Sequence, residues 1–166
     1  MFRIALISAA LMLDALFAQS ALAYGCESVL AAQVKGLDTP SRSTTRIETS
    51  SGTTTSVSVA IGGKIWSQTK DGTWQAQPQP LDRDMIAAYW SDKRCTADGT
   101  ESVDGDPADV VLHKSGGANQ MDTSFWISQS SGLIVKTVVN TSGAVFTISA
   151  DYHDVHAPAA DAGRKP

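Results

Sequence analysis

The chain has 166 residues, two cysteines and a net charge of −4. A mildly acidic chain without a cluster of Lys and Arg lacks the electrostatic footprint of a nucleic-acid binder, which excludes that class of partner. Its length suits one domain with a core of its own and is too short to argue for two.

Met1, Phe2 and Arg3 lead into an apolar run from Ile4 to Leu22, broken only by Ser8, Asp14, Gln19 and Ser20 and closing on Ala21-Leu22-Ala23. A basic start, an apolar middle and a small-x-small end predict a secretory signal over residues 1–23, cleaved after Ala23. A membrane anchor fits less well. Asp14 is costly at a bilayer centre, and the unbroken apolar stretches fall short of the ~20 residues a span needs. No later run approaches that length, so the mature chain carries no predicted transmembrane segment, and its predicted location is the periplasm.

Cys26 admits lipidation as the alternative, since lipoprotein signals place small residues just before a modified cysteine, and the protein would then be lipid-anchored. Tyr24 stands where a small residue belongs, so pairing of Cys26 with Cys95 as a structural disulfide is the expectation for an exported chain. Such a long loop is worth about 4 kcal/mol on the chain-entropy account. Cysteines so far apart, with no histidine beside them in sequence, do not read as a zinc site.

In chain order, Glu27 to Lys35 predicts a short helix, with Gly36 as its stop signal. Pro40 to Thr45 reads as polar connector. Thr53 to Ile61 alternates strictly, with Val57, Val59 and Ile61 on one side of a half-buried strand. Gly62-Gly63 is a two-residue hairpin signal, Lys64 to Thr69 returns, and Asp71-Gly72 repeats the device before Thr73-Trp74-Gln75. After Pro78 and Pro80 the period changes. Leu81, Met85, Ile86, Tyr89 and Trp90 share one helical face over Leu81 to Arg94, predicted to cover the apolar face of the sheet. Strands follow at Glu101–Val103, Ala108–Lys114, Met121–Ser128, Leu133–Asn140 and Ala144–Tyr152, each joined by a short turn. Roughly seven to nine strands connected in this way imply an antiparallel sheet. The domain spans residues 24–155, and residues 156–166, rich in Ala, Pro and Asp, read as a disordered tail.

Motifs that carry chemistry are sparse. His153-Asp154-Val155-His156 has two histidines and a carboxylate but no third ligand nearby in sequence, so it reads as a frayed strand end. Asp104-Gly105-Asp106 lacks the later acidic ligands of a calcium loop and reads as a turn. His113, alone on a strand, reads as a surface residue. No nucleophile elbow, cysteine–histidine pair or phosphate loop is present, so no catalytic residue, metal or cofactor is assigned and an enzyme is not expected. The aromatic content is more informative. Phe125 and Trp126 are adjacent on a strand and must face opposite sides, so one of them needs cover beyond the main core.

Val59-Ala60-Ile61-Gly62-Gly63-Lys64-Ile65-Trp66 running into Lys70-Asp71-Gly72-Thr73-Trp74, then Phe125-Trp126-Ile127-Ser128 followed by Ser131-Gly132-Leu133-Ile134-Val135-Lys136, resembles the periplasmic lipoprotein-carrier superfamily that includes LolA and LolB. Ile134 stands where that family has proline. The close, Phe146 through Asp151-Tyr152-His153-Asp154-Val155, is similar to the family's final strand. The resemblance implies an α+β fold, a strongly curved antiparallel half-barrel with two helices on the concave side and an apolar cavity that receives acyl chains. The residues expected to line such a cavity are Val57, Val59, Ile61, Trp66, Met85, Tyr89, Trp90, Phe125 and Ile127. The function this implies is non-enzymatic binding or carriage of an apolar or acylated ligand, a lipid or a lipoprotein acyl chain. The alternative is an envelope protein-interaction or assembly module with a filled core and no small ligand, its partner an envelope protein.

Overall fold

The computed structural model describes residues 26–116 and 121–159. The predicted signal over residues 1–23, the cleavage site and residues 160–166 of the predicted tail lie outside them. Helix α1 (Glu27–Asp38) starts as the Leu30 amide bonds the Cys26 carbonyl and runs through Gly36. It ends at Thr39, whose hydroxyl donates to the Lys35 carbonyl at 2.9 Å, just before Pro40. The glycine expected to stop the helix is thus tolerated inside it, and the proline and threonine set the end.

Strands β1 (Ser41–Thr49), β2 (Gly52–Ile61), β3 (Lys64–Gln68) and β4 (Trp74–Pro78) precede helix α2 (Arg83–Trp90). Strands β5 (Cys95–Val103), β6 (Asp106–Ser115), β7 (Met121–Ser128), β8 (Ile134–Asn140) and β9 (Ala144–Asp151) follow it. Among the described residues these pair antiparallel in one open sheet of nine strands, in the order β4-β3-β2-β1-β9-β8-β7-β6-β5. The β2–β3 hairpin turns on Gly62 and Gly63 with φ of 59° and 71°, the conformation a two-residue turn demands of both its centres. Among the described residues no helix is long and apolar enough to cross a membrane.

Helix α2 is shorter than its sequence pattern. Asp82 caps it, its carboxylate accepting from the Met85 amide at 2.8 Å, so Leu81 falls outside. α2 packs against α1, and α1 in turn reaches β7 and β8. Ile86 and Trp90 are the members of its stripe that are buried, while Leu81, Met85 and Tyr89 are 52%, 51% and 50% exposed. The row Ile86/Trp90, one turn apart, is all of α2 that faces the core. Val29, Ala32, Ile86, Trp90, Val111 and Phe125 form that core with Ile127 and both cysteines, which are bonded to each other. The side of the sheet that meets this cluster is the helix side.

Alternation gives Phe125 and Trp126 opposite sides. Trp126 joins a smaller cluster with Ala108 and Val110 on the outer side. Its indole nitrogen donates to Glu101 Oε2 at 2.8 Å and Lys136 Nζ lies 4.2 Å over its ring, so long charged side chains supply the second cover.

Candidate functional site

The ladder assigns every strand residue to a side. Phe125 stands opposite Thr137, Thr137 opposite Ile148, Ile148 opposite Thr45, and Thr45 opposite Ser56, with no bulge on the way. Residues directly paired across strands share a face. Ile47 and Phe146, two positions along, therefore lie on the helix side as well. Val57, Val59 and Ile61 lie on the outer side, and Trp66, paired with Val59, lies with them.

The nine expected cavity residues accordingly fall into three places. Trp90, Phe125 and Ile127 sit in the helix-side core, Trp90 and Phe125 meeting edge to face. Val57, Val59, Ile61 and Trp66 lie on the outer side, with Val59 buried at 4% exposure. Met85 and Tyr89 are exposed on α2. Geometry does not bring these three sets into a single cavity. The outer-side set has its own neighbour: the chain after β9 runs past it, and Val59, Trp74 and Arg42 line a cleft of about 350 Å³ with His153, Val155 and Pro158. Tyr152 anchors that segment, its hydroxyl donating to the Ile134 carbonyl at 2.8 Å, and burial pushes its phenol up to about 12.

What the helix side offers instead is a stretch of sheet beyond the helices. Ile47, Phe146 and Ile148 lie there and are only half-buried. The alternation Phe146-Thr147-Ile148 was visible in the sequence, but the side to which it pointed was not. At the far end of the helix layer, Leu37 of α1 and Gly63 of the β2–β3 turn line one cleft of about 560 Å³ with Leu81 to Asp84.

His113 is not on the surface. Pairing of β5 with β6 sets it opposite Cys95, where the edge of Trp90 covers it and its Nδ1 meets the Arg94 carbonyl at 3.0 Å. Because that carbonyl can only accept, Nδ1 carries the proton. Cys26, Cys95 and His113 hold their ligand-type atoms within 4.8 Å of one another, but the two sulfurs are spent on the disulfide and are not thiolate donors. His153 bonds the Asp151 carboxylate at 3.0 Å. The Asp104-Gly105 turn takes φ of 51° and 89°, and Asp106 accepts from the Ser128 and Ser130 hydroxyls at 2.5 and 2.9 Å. Those two bonds, Ser128 first, hold the Asp106 carboxyl below the usual carboxylate range. The arrangement pins one hairpin to the next.

No family model matches the chain, and no curated protein matches it. Solved structures do. Lipoprotein LppX of Mycobacterium tuberculosis matches at 12% identity and a TM-score of 0.50, over 78% of this chain and 96% of its own. MucB matches at 13% identity and a TM-score of 0.52, over 81% of this chain and 60% of its own. It has also been solved in a Pseudomonas aeruginosa MucA/MucB complex, which matches at 13% and 0.50 over 79% of this chain and 58% of that one. This chain thus spans under two thirds of MucB. A LolA superfamily protein of Nitrosomonas europaea is a more distant neighbour, at 12% identity and a TM-score of 0.32, over 78% of this chain and 92% of its own. At these identities what is shared with LppX and MucB is the fold.

Proposed function

We propose that this chain is a non-enzymatic, exported binding protein that takes up an apolar or acylated ligand in the groove between the helix pair and the uncovered part of the helix side. One observation carries this reading: the buried cluster of the helix side draws its strand residues from β5 to β7, while the same side continues across β9 and β1 with Phe146, Ile148 and Ile47 left half-buried. Half-covered large apolar side chains on a sheet face form a wall against which an acyl chain takes apolar surface out of water. The 560 Å³ cleft adds support. Gly63 shares it with Leu37, although β2, β1, β9 and β8 separate β3 from β7, and this favours a sheet curled around the helices, with its concave side toward them. Met85 and Tyr89 are then rim residues of the groove, and Trp90, Phe125 and Ile127 its closed end.

The test is displacement of an apolar fluorescent probe, N-phenyl-1-naphthylamine, from the mature protein, with native mass spectrometry for copurified lipid. Ile148→Asp should abolish probe binding while Val57→Asp, on the outer side, leaves it intact. Equal loss in both, or in neither, overturns the site.

A second reading has its own observation. Leu81 just before α2 and Met85 and Tyr89 on it recur every fourth residue as exposed apolar side chains, a patch suited to docking a protein. MucB, with a similar fold, has been solved in complex with MucA. Ile148→Asp separates the two, since it spoils the groove wall on β9 and leaves the exposed side chains of Leu81, Met85 and Tyr89 untouched.

A further inference from the structure

Charge divides sharply between the two sides of the strands that wall the groove. On the outer side stand Arg42, Arg46, Glu48, Lys64 and Asp151. On the helix side, from β8 across β9, β1, β2 and β3 to β4, the described residues include no ionisable side chain. That side pairs its apolar patch with hydroxyls: Ser43, Thr45, Ser56, Ser58 and Ser67 share the face of Ile47 and Ile148. Gln75 and Gln77 continue it onto β4. The charges bordering the cleft at Leu37 and Gly63 come from the start of α2, and there Arg83 is already paired with Asp38 of α1.

We infer that the ligand of this groove is an uncharged amphiphile: acyl or alkyl chains carrying ester, glycerol or sugar hydroxyl groups, with no carboxylate or phosphate. The inference rests on the groove reading given above. An anionic headgroup drawn against this face would lose water and find no counter-charge, which disfavours it strongly. Serine and threonine hydroxyls and glutamine amides each both donate and accept, so they satisfy ester carbonyls and sugar hydroxyls alike. A row of hydroxyls beside apolar residues therefore selects for neutral polarity, and a lipid chain alone would not need it.

The experiment uses the disulfide-bonded mature protein with N-phenyl-1-naphthylamine bound, and titrates four competitors of equal chain length: a monoacylglycerol, an alkyl glucoside, the free fatty acid and the lysophosphatidylglycerol, all below their micellar concentrations. The two neutral compounds should displace the probe at concentrations at least about tenfold lower than the two anions. Ser56→Lys, which puts a cation on the helix side at an exposed position, should narrow or reverse that order, whereas Thr44→Lys on the outer side should leave it unchanged. Anions that compete as well as the neutral compounds, or a Ser56→Lys protein with unaltered order, overturn the inference and leave the groove standing. A protein that binds no probe at all overturns the groove itself.

Discussion

Trp90 meets Phe125 edge to face, ring centroids 5.7 Å apart at an interplanar angle of 77°, and meets His113 in the same way at 5.4 Å. Its indole nitrogen donates to Gln33 Oε1 at 2.7 Å. One side chain thus ties α2 to α1, β6 and β7. Trp90→Ala is expected to cost about 3–5 kcal/mol in urea unfolding, because a large buried ring leaves a space its neighbours cannot fill. Tyr89→Ala, next to it and half exposed, should stay within about 0.5 kcal/mol. Similar losses in both would show that α2 is rotated from the orientation described.

The Cys26–Cys95 bond closes a loop of 69 residues and fastens the start of α1 to the start of β5. Replacing both cysteines with serine should lower stability by about 4 kcal/mol. Intact mass under alkylating, non-reducing conditions should show no modified thiol and a chain beginning at Tyr24. Two alkylated thiols would remove the bond, and a diacylglycerol adduct on Cys26 would replace it with lipid anchoring.

Tyr152 makes stability sensitive to alkali. Its folded pKa, raised by burial to about 12, lies above the value near 10 of an unfolded tyrosine, so the folded state keeps a proton the unfolded state gives up. Its contribution is full below about pH 10 and is lost as pH rises from there through 12. Tyr152→Phe should flatten the urea midpoint across that window while losing about 1 kcal/mol at neutral pH with the bond to Ile134. A variant as alkali-sensitive as the parent would exclude Tyr152 as the cause.

Asp106 gives the opposite sign. Its carboxyl is held low by Ser128 and Ser130, so its contribution is present above the unfolded value near 3.9 and disappears as pH falls through the lower folded one. Asp106→Asn should make unfolding less steeply acid-dependent below about pH 4, read from urea midpoints at pH 5, 4 and 3. Retention of the full acid slope would place it on the other lowered carboxylates, Asp71, Asp92 and Asp151.

Turns and alternation made the meander legible. Gly62-Gly63 needs positive φ twice, and Val57, Val59 and Ile61 can share only one side of a strand. Two strands were legible only in part. β1 opens Ser41-Arg42-Ser43-Thr44-Thr45 with no apolar alternation, and it is a strand because β2 and β9 bond it on both edges. β5 begins at Cys95, ahead of the expected strand at Glu101–Val103, and carries Ala97-Asp98-Gly99-Thr100 in a register shift against β6. The site was legible only by composition. Which side of the sheet receives Ile148 or Val59 depends on a register carried over three strands for the first and five for the second, and nothing local to either residue encodes it.

Among the described residues, the pairing of β1 with β9 is the one place where the sheet joins strands distant in sequence. Hairpins β1–β4 and β5–β9 can each form from near neighbours, but the seam between them has to wait for the last strand, at a large cost in loop closure. Assembly should therefore run as two separately formed ribbons that zip together late, with β1 an unpaired, hydroxyl-rich edge until Ala144 to Asp151 arrives. A chain cut short before Ala144 would keep both ribbons and lose the seam, exposing Ile47 and Val139 together as a sticky border for other chains.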